Sequence, residues 1–293
     1  MKKFYKIMTV ISAILAVAGI VFIIIGVSLG GIDTIAERVS DSKLPFINIG
    51  IDDFSDEGMD KILDKSTFTK DEVKNIVFKG KYGVYQFREW TNDDIAVMVE
   101  NASSKIKYSV SDNTLNIVDN KNKNFWNTKK QSRITVYIPT GYKLDGIKIR
   151  IGAGSVAGSS INSGTLDIDI GAGEGIFDNI NTDSFNISVG AGEADVTDCI
   201  IGKSNIKVGM GELDLTGMLS QNADIECGVG DVSLKLKNNY TDFNYVLNVG
   251  AGDIEIDNKT YGGLSNSTTI NNNSNLNMNI NCGMGSVSVE NVN

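Results

Sequence analysis

The sequence predicts an all-β protein: a β-solenoid of about seven rungs with a period of 19 residues, preceded by a β-rich cap and one N-terminal transmembrane helix. Three observations carry that expectation. A phrase of the form apolar-x-apolar-Gly-x-Gly recurs, reading IRIGAGS from Ile149, IDIGAGE from Ile168, ISVGAGE from Ile187, IKVGMGE from Ile206, IECGVGD from Ile225, LNVGAGD from Leu247 and INCGMGS from Ile280. Its leading glycines, Gly152, Gly171, Gly190, Gly209, Gly228, Gly250 and Gly283, stand 19, 19, 19, 19, 22 and 33 residues apart. Around them apolar and polar residues alternate with period two, the mark of half-buried strands, and a fixed period near 20 with no helical spacing means a unit that buries its apolar side only by stacking.

From the N-terminus, Lys2, Lys3 and Lys6 precede residues 7–29, which carry no charge. As a helix this run would be about 34 Å long, enough to cross a hydrocarbon core of about 30 Å. The basic residues keep the tail 1–6 cytoplasmic by the positive-inside rule and place the bulk of the chain outside the cell membrane, in a single pass. A cleaved signal peptide is the rival reading, with small residues at Ser28-Leu29-Gly30, but the apolar run exceeds the usual length of such a core.

Residues 30–75 form an acidic juxtamembrane spacer, with helix expected over Ile32–Val39 and Met59–Lys65. Within it Asp53 to Gly58, with Asp64 beyond, echoes a calcium loop. Asp60 occupies the apolar position and Asp64 replaces the bidentate glutamate, so a solvated spacer is the better reading. Residues 76–140 form the cap: Ile95–Val99, Ile106–Val110 and Ile134–Ile138 alternate like strands, and Trp90 and Trp126 offer a larger local core than a rung can build. Its task is to cover the first rung, because an open solenoid end is an unpaired edge.

Residues 141–293 are the solenoid. Ile149, Ile168, Ile187, Ile206, Ile225, Leu247 and Ile280 point inward, as do the residues two positions on, Ile151 to Cys282. After the second glycine the parity shifts, so the chain turns a corner at Gly-x-Gly, where glycine permits positive φ and close approach of rungs. Ala153, Ala172, Ala191, Met210, Val229, Ala251 and Met284, between the glycines, are expected to plug the corner from inside. Ile161, Ile180, Cys199 and Met218 are expected to form a further inward column. The gap of 33 before the last repeat, holding Tyr261-Gly-Gly and the tract Asn271 to Asn275, reads as a polar surface bulge.

The net charge of −9, or −12 without the three N-terminal lysines, disfavours nucleic acid and anionic lipid headgroups as partners. Zero histidines exclude His-dependent triads and His-containing zinc sites. Cys199, Cys227 and Cys282 replace apolar residues in their columns and read as small buried hydrophobes, ahead of a disulfide or a metal. Gly-x-Gly here lacks the third glycine and the following helix of a dinucleotide site, so no cofactor-binding residues are assigned.

After the second glycine stand Glu174, Glu193, Glu212, Asp231 and Asp253, expected to stack about 4.8 Å apart as an outer column. Asp195, Asp214 and Glu255 form a second column beside it. These are candidate calcium ligands, set against a plain solvated acidic face. β-Helices also carry polysaccharide lyases and hydrolases, but the acids recur in a ladder instead of clustering once and no arginine follows Arg150, so no catalytic residues are assigned and no enzyme is expected.

The segment Val136-Tyr-Ile-Pro139, followed by strand repeats ending in Gly-Ala-Gly-Glu, resembles the bacterial putative-adhesin family, a domain of unknown function common in Gram-positive envelope proteins. The resemblance covers about Ile76 to Asn293. It implies a β-solenoid and an adhesin-like surface protein whose partner is a cell-envelope or host-surface macromolecule; some members are encoded beside envelope-stress regulators, which implies a sensing or scaffold role instead. It supplies no catalytic residues.

Overall fold

The computed structural model describes residues 62–100, 106–119 and 133–292, all within the compact unit Asp56–Asn293. The expected membrane span 7–29, the helix at Ile32–Val39, the calcium-loop echo at 53–58 and Trp126 lie outside the described residues. Among the described residues no helix is long and apolar enough to cross a membrane.

Among the described residues seventeen strands form one continuous hydrogen-bonded system. The cap holds β1 (Ile62–Phe68), β2 (Asn75–Trp90), β3 (Ile95–Glu100), β4 (Ile106–Ser111), β5 (Thr114–Asp119) and β6 (Arg133–Pro139). The repeats hold β7 (Leu144–Val189), β8 (Glu193–Val208), β9 (Glu212–Leu219), β10 (Ala223–Cys227), β11 (Asp231–Leu236), β12 (Phe243–Val249) and β13 (Asp253–Ile256). The C-terminal stretch adds β14 (Lys259–Gly262), β15 (Asn266–Ile270), β16 (Leu276–Cys282) and β17 (Ser286–Asn291). The helix expected at Met59–Lys65 is replaced by β1, which pairs antiparallel with β3; sheet pairing overrides a short local preference.

Parallel pairing at a 19-residue offset confirms the solenoid. Ile187 faces Ile206 and Val189 faces Val208 across β7 and β8, and Ile206 in turn faces Ile225 across β8 and β10. These side chains, with Leu213, Leu215, Val232 and Leu234 beyond the corner, are 0–3% exposed and form one core along the stack. The cap contributes a rung of its own, because β2 runs parallel to the start of β7 from Asn75/Gly146 to Phe87/Gly158. The cap core is built from Phe78, Tyr85 and Phe87 and not from Trp90, which is half-buried and stacks on Tyr137 at 5.1 Å. Both ends of the stack close with antiparallel strands, β1, β3 and β4 at one end and β14 and β15 at the other, so an open parallel edge is covered twice.

The last two repeats do not stack in chain order. β16 lies between β10 and β12, and β17 lies between β11 and β13. The C-terminal repeat is thus inserted between the repeats that precede it. The segment read as a polar bulge supplies β14 and β15, which return along β13 and β12 as the end cover. Its asparagines hold the backbone in place: Asn272 Nδ2 donates to the carbonyls of Tyr240 and Phe243 at 3.1 and 2.8 Å, and Asn244 Oδ1 accepts from the Asn272 and Ser274 amides.

The expected column Ile161, Ile180, Cys199, Met218 also changes. Gly217, not Met218, pairs with Cys199, and Met218 is 43% exposed. Ser160, Asn179 and Asp198 hold φ of 55°, 54° and 47° just before Ile161, Ile180 and Cys199. The next rung lacks that extra left-handed residue, so its register slips by one. One turn further on, the buried Asn238 replaces a strand: its side-chain amide donates to and accepts from the Leu219 backbone, at 2.9 Å each way.

Candidate functional site

Each Gly-x-Gly corner is made by backbone stacked on backbone. A Cβ built on Gly190 would lie 2.5 Å from the Gly171 carbonyl oxygen, and one on Gly209 or Gly228 would lie 2.7 Å from the oxygen beneath it. Close approach therefore explains the glycines. Positive φ does not, since of the motif glycines among the described residues only Gly154 has it.

With no side chains on either glycine, the middle residue is thrust outward. Met210, Val229 and Met284 are 72%, 45% and 63% exposed, and Ala172, Ala191 and Ala251 are exposed as well. This corrects the expectation that these residues plug the corner. Strand alternation fails across Gly-x-Gly, where consecutive residues face solvent before Leu213 and its equivalents turn inward. Amide-to-carbonyl bonds order the ridge: Met210 to Gly190, Val229 to Gly209, Met284 to Gly228 and Ala251 to Gly283. At its end Ser265 donates to Gly250, next to Leu264, which is 87% exposed.

On one side of this ridge runs the acidic ladder. Glu174, Glu193, Glu212 and Asp231 stand in register on successive strands. Asp253 does not continue it, because Ser286 of the inserted repeat stands between Asp231 and Asp253. In the second column Asp195 faces Asp214, while Ser233 and Ser288 separate Asp214 from Glu255. The predicted acids are therefore brought together for four rungs and parted at the fifth. Among the described residues no three acids or cysteines converge on a position that could hold a metal ion.

Burial, followed by repulsion from neighbouring acids, raises the carboxyl pKa values of Glu174, Glu193, Asp195 and Glu212. Starting from the ordinary 4.5 for glutamate and 3.8 for aspartate, the folded form holds its protons to higher pH than the unfolded form. The stability this contributes is present below those values and is lost as pH rises through the raised ones. Each adjacent pair repels by about 0.8 kcal/mol in water before screening. We expect Glu193→Gln/Glu212→Gln to gain about 1–2 kcal/mol at neutral pH in low salt. The gain should vanish near pH 4 and shrink in molar salt, which screens the repulsion but not the burial; thermal melts across pH and salt check it, and a gain independent of both would contradict the ladder.

On the other side of the ridge lies a shallow trough of about 980 Å³, floored by Gly190, Gly209, Gly228, Gly283 and Gly250. Its wall is Ser188, Lys207, Glu226, Asn281 and Asn248, and Ser265 to Ser267 close one end. Lys207 Nζ pairs with Glu226 at 3.0 Å, Asn248 Nδ2 donates to Asn281 Oδ1 at 2.9 Å, and Ser267 Oγ donates to Asn248 Oδ1 at 2.8 Å. That wall is mostly self-paired and close to neutral.

All three cysteines are free thiols and buried. Cys227 faces Cys282 across β10 and β16, and each thiol donates to a carbonyl of its own corner, Gly230 at 2.9 Å and Gly285 at 3.1 Å. Burial pushes the Cys199 thiol up to about 11 and the Cys227 thiol up to about 12. We expect an aromatic disulfide reagent at pH 8 to label none of them in the native chain and all three after denaturation; rapid native labelling would contradict their burial.

An extended stack of parallel rungs with antiparallel ends defines the class of protein, and comparison with known families gives the particular one. Residues 73–290 match the family model described as Toastrack DUF4097, and the chain belongs to that family. The solved structures it is similar to include three proteins described in terms of adhesion. A putative adhesin of Bacteroides fragilis matches at 16% identity and a TM-score of 0.45, over 76% of this chain and 95% of that one. A putative cell adhesion protein of Clostridium sporogenes matches at 16% identity and 0.35, over 78% and 98%. A putative adhesin of Parabacteroides distasonis matches at 11% identity and 0.35, over 79% and 98%. A search of curated proteins gives no match.

Proposed function

We propose that the chain is a membrane-anchored, extracytoplasmic binding or scaffold protein of the cell surface, adhesin-like and without catalysis. The observation that carries this reading is the long edge of the solenoid: successive corners present an outward apolar ridge beside a ladder of carboxylates over four registered strands. Such repetition offers many equivalent contacts along one line and suits holding a macromolecule better than acting on one bond. The anchor rests on the uncharged run 7–29 behind Lys2, Lys3 and Lys6, which orients the solenoid outward.

The test is saturable binding of the full chain, in zwitterionic lipid nanodiscs, to isolated cell wall and to host-matrix proteins, with calcium and with chelator. Binding to either supports adhesion, and its loss in chelator gives the acidic ladder a metal. Binding to neither, by a chain with a cooperative melt, counts against adhesion in favour of a membrane-partner role in envelope-stress signalling. Protease shaving of intact cells tests the topology: the solenoid should be digested from outside.

A further inference from the structure

The ridge has one chemical character along its length and two different flanks. Met210, Val229 and Met284 stand on three consecutive corners, exposed by nearly half or more of their surface, and beyond the Ala251 corner Leu264, in the turn between β14 and β15, prolongs the line. Single exposed apolar residues need no explanation, but a contiguous row of them on a soluble surface marks a contact site. Beside the row, two residues along each strand from Ala191, Met210 and Val229, stand Glu193, Glu212 and Asp231, with Ser286 in that place beside Met284, and no lysine or arginine is paired to these acids in the registered positions. On the other side the glycine trough spans five corners, about 19 Å at the strand spacing, the length of about six extended residues.

We propose that this edge docks an extended polypeptide whose apolar side chains alternate with lysine or arginine, lying along the ridge with its apolar groups on the trough side against Met210, Val229 and Met284 and its cations on the other side over Glu193, Glu212 and Asp231. The inference rests on the binding reading above and adds the class of partner.

Charge decides against a second copy of this chain as the occupant. A two-fold axis across the ridge would lay the acidic ladder of one copy on that of the other. An axis along the ridge would lay it on the trough wall, where Lys207 is already paired with Glu226 at 3.0 Å. A cationic strand meets neither obstacle, and it relieves repulsion among carboxylates that burial and mutual proximity already disfavour in charged form.

The test uses the full chain in zwitterionic nanodiscs, with empty discs as background, and fluorescently labelled (Leu-Lys)4, (Ser-Lys)4 and (Leu-Glu)4 peptides read by anisotropy. The Leu-Lys peptide should bind at least tenfold more tightly than either control, and more weakly as salt rises. Met210→Ser/Met284→Ser and Glu193→Gln/Glu212→Gln should each weaken it at least tenfold, and Leu264→Ser, in the turn between β14 and β15, should weaken it less. All three variants change exposed side chains, and their melts verify the fold.

Equal binding of the Leu-Lys and Ser-Lys peptides, or binding unchanged in the Met210→Ser/Met284→Ser variant, overturns the proposal. So does reversible dimerisation of the wild type that the same variant abolishes, which would make the occupant a second copy. Cell-wall or matrix binding that persists in that variant leaves adhesion standing and removes the ridge from it. Peptide binding as expected, with no wall or matrix binding, does the reverse.

Discussion

Replacing Gly211 by alanine is expected to destabilise the solenoid by about 3 kcal/mol and lower its melting temperature by about 6–12 °C. The added Cβ would fall on the Gly192 carbonyl oxygen, 2.9 Å from the Gly192 nitrogen and 3.0 Å from Val189 Cγ1. The two Gly192 atoms cannot swing aside, because they belong to a corner that is itself stacked on Gly173, and Val189 is buried in the core. The strain therefore spreads to neighbouring rungs. Met210→Ala, one residue away and pointing into solvent, is expected to change stability by less than about 0.5 kcal/mol. Parallel melts of the two variants compare a backbone contact with an exposed side chain in the same corner. Equal melting temperatures would show that the corner relaxes, and that close approach is not why glycine stands there.

That contrast also measures how much of the fold was legible in the sequence. The inward columns were legible because each rung repeats the same solvent exclusion: an isoleucine or leucine three residues before the first glycine is buried in every copy, from Ile149 to Ile280. The acid ladder followed from the same spacing, and Glu174 to Asp231 stand in register as expected. Met210 and its equivalents are apolar and so read as inward, but a corner whose two flanking residues lack side chains turns them to solvent. The slip at Gly217 was hidden because it depends on one left-handed residue, Asp198, having no counterpart in the next rung. Chain order is not spatial order for Asp231 and Asp253, and the gap of 33 residues says only that something is inserted. One trace was present: the last repeat alone among the final five carries serine where the others carry an acid, and Ser286 is the residue that parts Asp231 from Asp253.

Ending the chain after Asp257 is expected to unfold the repeat at Phe243–Ile256, not merely to remove residues 258–293. In a solenoid that stacks in chain order, loss of the final repeat exposes one new end and leaves the others paired. Here β16 and β17 are interior, each bonded on both sides, so their loss separates β10 from β12 and β11 from β13 at once. The buried side chains withdrawn are Met278, Ile280, Cys282, Val287 and Val289, on the order of 10 kcal/mol of apolar burial, comparable to the whole stability of a domain. β12 and β13 also lose their cover on the other side, β15 and β14. Limited proteolysis read by mass spectrometry should find cuts throughout 243–257, while β7 to β9, whose partners are intact, stay protected. If 243–256 remains protected, that repeat has redocked directly on β10 and β11, and the inserted repeat is dispensable for holding it. The same topology orders folding. Residues 243–256 leave the ribosome before 276–291, yet their parallel partners are supplied by the later segment, so the far end of the stack closes only when the C-terminus has been made.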